Sequence, residues 1–213
     1  MSAPSLASLA AFDVDHTLTR RDCVLPFLRR VAGDLAVLQA GARHLPILTQ
    51  VALRRADRDV AKAALLGSIF AGRVAGDIAA KGRAHAHDTY VNWMRPDTLA
   101  RLRWHQSQGH PTALVSASLG AYLHPLGELL GVDHVFCTEL EHDDQTGALT
   151  GRMLGRNCRG PEKVARLEKF LGRPEAVWAY GDSAGDTEML AWADHAYLIR
   201  KNMTISIQPE TRA

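Results

Sequence analysis

The sequence predicts a three-layer α/β fold: a parallel sheet covered by helices on both faces and interrupted by one all-helical insertion. Three observations carry this. Short continuous apolar runs alternate with helical patterns over most of the chain, as expected for buried parallel strands joined by crossover helices. The alternation breaks once, over roughly residues 18–95, where Ala- and Leu-rich stretches carry Arg and Lys and no comparable strand appears. The 213 residues, 46% hydrophobic and 23% charged, suit one globular core domain with a modest insertion.

The elements follow in order. Residues 6–12 are a short apolar run that stops at Asp13, so they read as a buried strand ending in a polar loop. The helical block then extends to about residue 95, punctuated by Gly33, Pro46, Gly67 and Gly72; within it Asp57 is an N-cap before apolar residues at helical spacing. Pro96 opens a helix and Gly109 lies just past its end. Residues 111–115 form a second buried strand ending at Ser116, followed by a helix over about 120–130 and a third strand over 134–138. Residues 139–153 alternate around the turn at 143–147 and predict a hairpin. A helix over 160–171 is ended by Gly172; then come a strand over 176–180, a helix over 186–193 and a fifth strand over 196–199. The expected division is a core of residues 1–18 and 96–213, with a helical domain over 19–95 lying across the carboxyl ends of the strands.

Charge and composition narrow the function classes. The chain has 25 basic and 23 acidic side chains, a net +2, which gives no ground for a nucleic-acid partner. Its longest apolar runs, such as 6–12 and 63–66, are too short to span a bilayer. No basic residue precedes the first apolar run, so a signal peptide is not expected. Three scattered cysteines without a CxxC predict free thiols and a cytoplasmic location.

Ligands of open parallel sheets bind beyond the carboxyl ends of the strands. Asp13 and Asp15 stand two apart at one such end, and Asp182 and Asp186 at another. Any one of them alone reads best as a loop cap; four at the right strand ends read as one site. Four converging carboxylates need compensation, which a hard divalent cation such as Mg2+ supplies together with a substrate phosphate. Lys163 is the third residue of its helix, where the helix dipole disfavours a cation. Such a local violation points to the carboxylate cluster or a bound phosphate. Ser116, the backbone amides that follow it from Ala117, and Thr17 offer donors for an anion.

Asp13-Val14-Asp15-His16-Thr17, the Ser116 strand end, Lys163, and Gly181-Asp182-Ser183-Ala184-Gly185-Asp186 resemble, in this order, the four motifs of the haloacid dehalogenase superfamily. The helical block resembles the small cap of its phosphoserine-phosphatase-like branch. The resemblance covers nearly the whole chain and implies a Rossmann-like core and a Mg2+-dependent phosphatase acting on a small phosphorylated metabolite. In that reading Asp13 is the nucleophile that takes the phosphoryl group. Asp15 is the acid and base. Asp13, the main-chain carbonyl of Asp15, and Asp182 hold Mg2+ with Asp186 in support. Thr17, Ser116, Ala117 and Lys163 hold the phosphate. A phosphotransferase or a non-catalytic phospho-ligand-binding protein would be the alternatives. Three departures bear on the substrate. Ala117 and Ser118 replace a glycine pair, Gly185 replaces an Asn, and Asp22 stands for a longer Glu, either touching a substrate amine or capping a helix.

Other features are expected to be bland. His85 and His87 lie two apart in a helix, on different sides, and are expected to be solvated. Arg54, Arg55 and Arg58 read as a solvated helix face, residues 142–144 as a hairpin tip, and the four tryptophans as core. Cys158, five residues before Lys163, is expected near the site without being reactive.

Overall fold

The computed structural model describes residues 7–53 and 55–208; Leu6, expected in the first strand, and Arg54 of the basic cluster lie outside them. In chain order the elements are β1 (Ser8–Phe12), α1 (Val24–Ala32), α2 (Asp34–Arg43), α3 (Leu45–Ala52), α4 (Arg58–Phe70), α5 (Ala75–Asn92), α6 (Pro96–Ser107), β2 (Thr112–Leu119) and α7 (Gly120–Leu130). Then come β3 (His134–Thr138), β4 (Leu140–His142), β5 (Leu149–Met153), α8 (Pro161–Leu171), β6 (Ala176–Gly181), α9 (Thr187–Trp192) and β7 (His195–Leu198).

Side-chain alternation along β1 decides the layers, because successive residues of a strand face opposite ways. Leu9 and Ala11 pack with Ala113, Val115, Val177 and Ala179, and are covered by Leu167 of α8 and Met189 of α9. Ala10 and Phe12 pack on the other face with Leu114 and Tyr180, and are covered by Leu102 of α6 and by Leu123 and Leu126 of α7. Both faces are apolar, so both are buried. The strands run in the order β3-β2-β1-β6-β7 and every pairing is parallel. β4 and β5 form the expected antiparallel hairpin. No helix among the described residues is long and apolar enough to cross a membrane.

Two expectations are corrected. The second strand does not stop at Ser116: β2 continues to Leu119, with an irregular register against β3 after Val115. Leu119 pairs with Thr138 and is fully buried, which keeps the strand extended past the polar residues. His85 is not solvated. It is 1% exposed, packs against Phe27, Trp93 and Tyr122, and donates through Nε2 to the Cys23 carbonyl at 2.9 Å. Burial lowers its pKa to about 4, so it is a neutral core side chain. His87 is exposed.

Helices α1–α5 form one insertion between β1 and α6. The chain leaves the core at Thr19 and returns at Met94, and these two residues pair as an antiparallel bridge. Asp57 caps α4 as expected, its carboxylate accepting from the Asp59 N–H at 2.8 Å. The insertion packs on the core chiefly through α5 against α7 and α4 against the hairpin strand β5. The first contact requires Gly82. A Cβ there would lie 1.9 Å from the Ala121 carbonyl oxygen, a backbone atom that cannot step aside. Gly82→Ala is therefore expected to lower stability by about 3 kcal/mol, the upper end of overpacking costs. A urea midpoint equal to that of the wild type would contradict this contact.

Candidate active site

The register of the central strands sets up the site. Phe12 of β1 pairs with Tyr180 of β6, so the residues that follow them emerge side by side. The Asp13 N–H donates to the Tyr180 carbonyl at 2.8 Å. Beyond Tyr180 the chain turns through Gly181, where a Cβ would lie 2.5 Å from the Asp186 Cβ. The turn is wound around Asp186. One of its oxygens accepts from the N–H groups of Asp182 (3.2 Å) and Ser183 (3.0 Å) and from the Ser183 hydroxyl (3.0 Å). Its other oxygen accepts from Lys163 Nζ at 2.5 Å.

Lys163 also donates to Asp13 Oδ1 at 2.7 Å, while the Thr17 hydroxyl donates to Asp13 Oδ2 at 3.1 Å. Lys163 is 2% exposed and Asp13 6%. The lysine that violates the helix-dipole rule in the first turn of α8 is thus offset by two carboxylates. Burial acts to lower the Lys163 pKa, but Asp13 and Asp186 outweigh it and hold the group above the usual lysine range. Burial raises the Asp13 pKa to about 7; Lys163 opposes this, and the negative charges of Asp186 and Asp15 add to it. Asp182 is also raised, first by burial and then by Asp186.

One carboxylate oxygen from each of Asp13, Asp182 and Asp186 lies within 4.8 Å of the other two. Three carboxylates against one ammonium leave two negative charges when all are ionised. An all-oxygen set with that excess fits a hard divalent cation such as Mg2+. Asp186 accepts four hydrogen bonds and Asp13 two, so Asp186 is the better suited to fixing the geometry, and Asp13 and Asp182 to direct ligation.

Asp15 belongs to a neighbouring group. Residues 14–18 form a tight irregular turn with His16 at φ 60°, closed by the Thr19 N–H on the Val14 carbonyl at 3.0 Å. The turn presents Asp15 to two donors: the Cys23 N–H at 2.8 Å and the Ser118 hydroxyl at 2.7 Å. Burial raises its pKa, with the Asp22 charge adding. The Ser118 N–H donates in turn to the Ser116 hydroxyl oxygen at 3.1 Å, with Ala117 between them. Asp22 accepts from the Leu25 N–H at 2.9 Å and so closes the first turn of α1.

Sequence reasoning missed Ser118, Ser183, Lys62 and Asn157. Ser118 was within reach of it, being two residues past Ser116 on the same strand and hence on the same face. Cys158 is buried, its N–H on the Thr138 hydroxyl at 3.2 Å, and burial pushes its thiol up to about 11. Arg159 lies over Gly185, where a Cβ would be 3.1 Å from its Nε. A cleft of about 1190 Å³ opens beside Asp182, lined also by His16, Arg20, Arg200 and Lys201.

Comparison with known proteins agrees with this layout. A phosphoserine phosphatase of Archaeoglobus fulgidus is 37% identical over 86 residues, 38% of this chain and 24% of that protein. A protein of unknown function from Bordetella pertussis Tohama I has a similar solved structure, with a TM-score of 0.74 and 25% identity, covering 89% of this chain and 88% of that one. Protein CicA of Caulobacter vibrioides is 36% identical over 190 residues, 87% of this chain and 83% of that protein. Residues 10–191 match the family model of haloacid dehalogenase-like hydrolases, and the chain belongs to that family.

Proposed function

We propose that this hydrolase is a Mg2+-dependent phosphatase that cleaves a small phosphomonoester through a phosphoryl group carried on Asp13. The observation that supports it most is the buried Asp13–Lys163–Asp186 triad at paired strand ends, with Asp15 held close by on independent donors. Phosphoryl transfer asks chiefly for positioning and charge stabilisation, and this arrangement supplies both.

In this reading an Asp13 carboxylate oxygen attacks phosphorus as the ester P–O bond breaks. Asp15, whose pKa burial raises, passes a proton to the departing alkoxide oxygen. It then takes a proton from the water that attacks phosphorus and releases phosphate from Asp13. The Cys23 N–H and Ser118 hydroxyl fix the orientation of Asp15 through both steps. Thr17, Ser116 and the Ala117 N–H hold the phosphate oxygens, and Lys163 offsets their charge. Mg2+, held by Asp13, Asp182 and the Asp15 carbonyl with Asp186 in support, would neutralise phosphate charge when bound. Residues 19–95 serve as the cap, and Arg20, Arg200 and Lys201 give the cleft a cationic rim suited to an anionic substrate. The free, buried thiols of Cys23, Cys137 and Cys158 suit a reducing cytoplasm.

The test is phosphate release from an aryl phosphate and a panel of phosphorylated metabolites, with Mg2+ and with chelator. Release that stops with chelator is expected. Tight binding of phosphoesters without release would replace this reading with a non-catalytic phospho-ligand-binding protein. Phosphoryl products formed with added alcohols would replace hydrolysis with transfer.

A further inference from the structure

We propose that Lys62, carried by the insertion, is a positioning residue: it clamps α4 to the core and sets the peptide that links Ser116 to the Asp15-holding Ser118. The proposal rests on the phosphatase reading for its catalytic consequence, and on contacts alone for the clamp.

Lys62 lies in the second turn of α4 and reaches out of the insertion into the core. Its ammonium has three protons and three acceptors. These are the Ala117 carbonyl, Asn157 Oδ1 at 2.6 Å and Thr138 Oγ1 at 3.3 Å. They come from three separate core segments: β2, the end of β3 and the loop before α8. One turn earlier on the same helix, Asp59 accepts from Asn157 Nδ2 at 2.7 Å. The Asn157 amide is therefore gripped at both ends by α4, oxygen by Lys62 and nitrogen by Asp59. The Thr138 hydroxyl adds a second bond to the same oxygen at 2.8 Å.

The consequence for the site lies in one peptide unit. Its carbonyl, that of Ala117, is taken by Lys62. Its N–H, that of Ser118, is taken by the Ser116 hydroxyl oxygen at 3.1 Å. With both ends occupied the plane cannot rotate freely, and the next side chain, Ser118, holds Asp15 at 2.7 Å. None of the three groups bonded to Lys62 is a carboxylate. Simple adhesion between insertion and core would be served as well by apolar residues of the same volume, without desolvating an ammonium. Directional bonds into three segments are what an apolar side chain could not provide. Burial accordingly lowers the Lys62 pKa to about 8. The charges of Asp59 on α4 and Asp15 after β1 act in the opposite direction, while burial keeps the nearby thiols of Cys158 before α8 and Cys137 on β3 neutral.

The experiment measures amide hydrogen exchange on the full chain, together with aryl-phosphate kinetics, for Lys62→Met and Lys62→Arg. In the Met variant, protection at residues 116–119 is expected to fall at least about tenfold while β1 and β6 stay protected. Its kcat is expected to fall about 30-fold with KM changed less than about threefold. The Arg variant, which keeps a cationic donor but not the compact ammonium, should retain more protection at 116–119 than the Met variant. Unchanged protection at 116–119 in the Met variant overturns the clamp. So does protection lost evenly across the sheet, which marks mere adhesion. Local loss of protection with an unaltered kcat overturns the catalytic consequence. A wild type that hydrolyses no phosphomonoester, yet whose Met variant loses protection at 116–119, overturns the phosphatase reading and sustains the clamp.

Discussion

Asp13→Asn is expected to fold normally and to turn over at least about 10³-fold more slowly than the wild type. The substitution is isosteric. The amide oxygen can still accept from Lys163 or Thr17, so the strand end keeps its shape, but the nucleophilic charge is gone. The stability of the metal-free protein should move the other way. Burial raises the folded-state pKa of Asp13 to about 7, above an unfolded value near 4. A group shifted in that direction favours folding below its unfolded pKa and loses the contribution as pH rises through the folded one. At pH 8 the wild type therefore carries the cost of an ionised, buried Asp13, and the Asn variant does not. Initial rates with Mg2+ and urea unfolding with chelator check both halves. Turnover within tenfold of the wild type would remove Asp13 as the attacking group.

Lys163→Met is expected to lose both activity and stability. The ammonium is the shared partner of Asp13 at 2.7 Å and Asp186 at 2.5 Å. Removing it leaves two buried carboxylates without a cation, which costs about 3–5 kcal/mol when they are ionised. The sign with pH follows from the shift just described. Without Lys163 the Asp13 pKa rises further, so the variant recovers stability as pH falls and Asp13 takes up a proton. Urea unfolding in chelator should show the large deficit at pH 8 and a smaller one at pH 5. An equal deficit at both values would mean that Lys163 contributes packing rather than charge. Activity should fall at least about 10²-fold, because the phosphate charge would be met without its principal protein cation.

Much of the architecture was legible because it is periodic or punctuated. Five apolar runs, helix ends at Gly109 and Gly172, and an N-cap at Asp57 all reflect local chemistry that a sequence displays directly. The carboxylates were legible because each stands at the end of such a run, and a parallel sheet brings those ends together. Residues whose role comes from contacts across the fold were not. Lys62 meets its partners 55 to 95 positions further along the chain, and on α4 it looks like any helix lysine. His85 sits in a helix of weak amphipathic pattern, and aromatic side chains from distant parts of the chain, Phe27 of α1 and Tyr122 of α7, help to bury it. The extension of β2 to Leu119 depends on its neighbour β3 rather than on its own polar residues.

The two attachments of the insertion differ in kind. At Gly82 the backbones of α5 and α7 meet with no room for a side chain, a seam that water cannot enter without unpacking it. At α4 the joint adds directional bonds, from Lys62 and Asp59 into the core, to a second seam, where a Cβ on Gly151 would lie 2.9 Å from the Gly67 Cα. Water can compete for those bonds but not for either seam, so the insertion is held against the core along both edges.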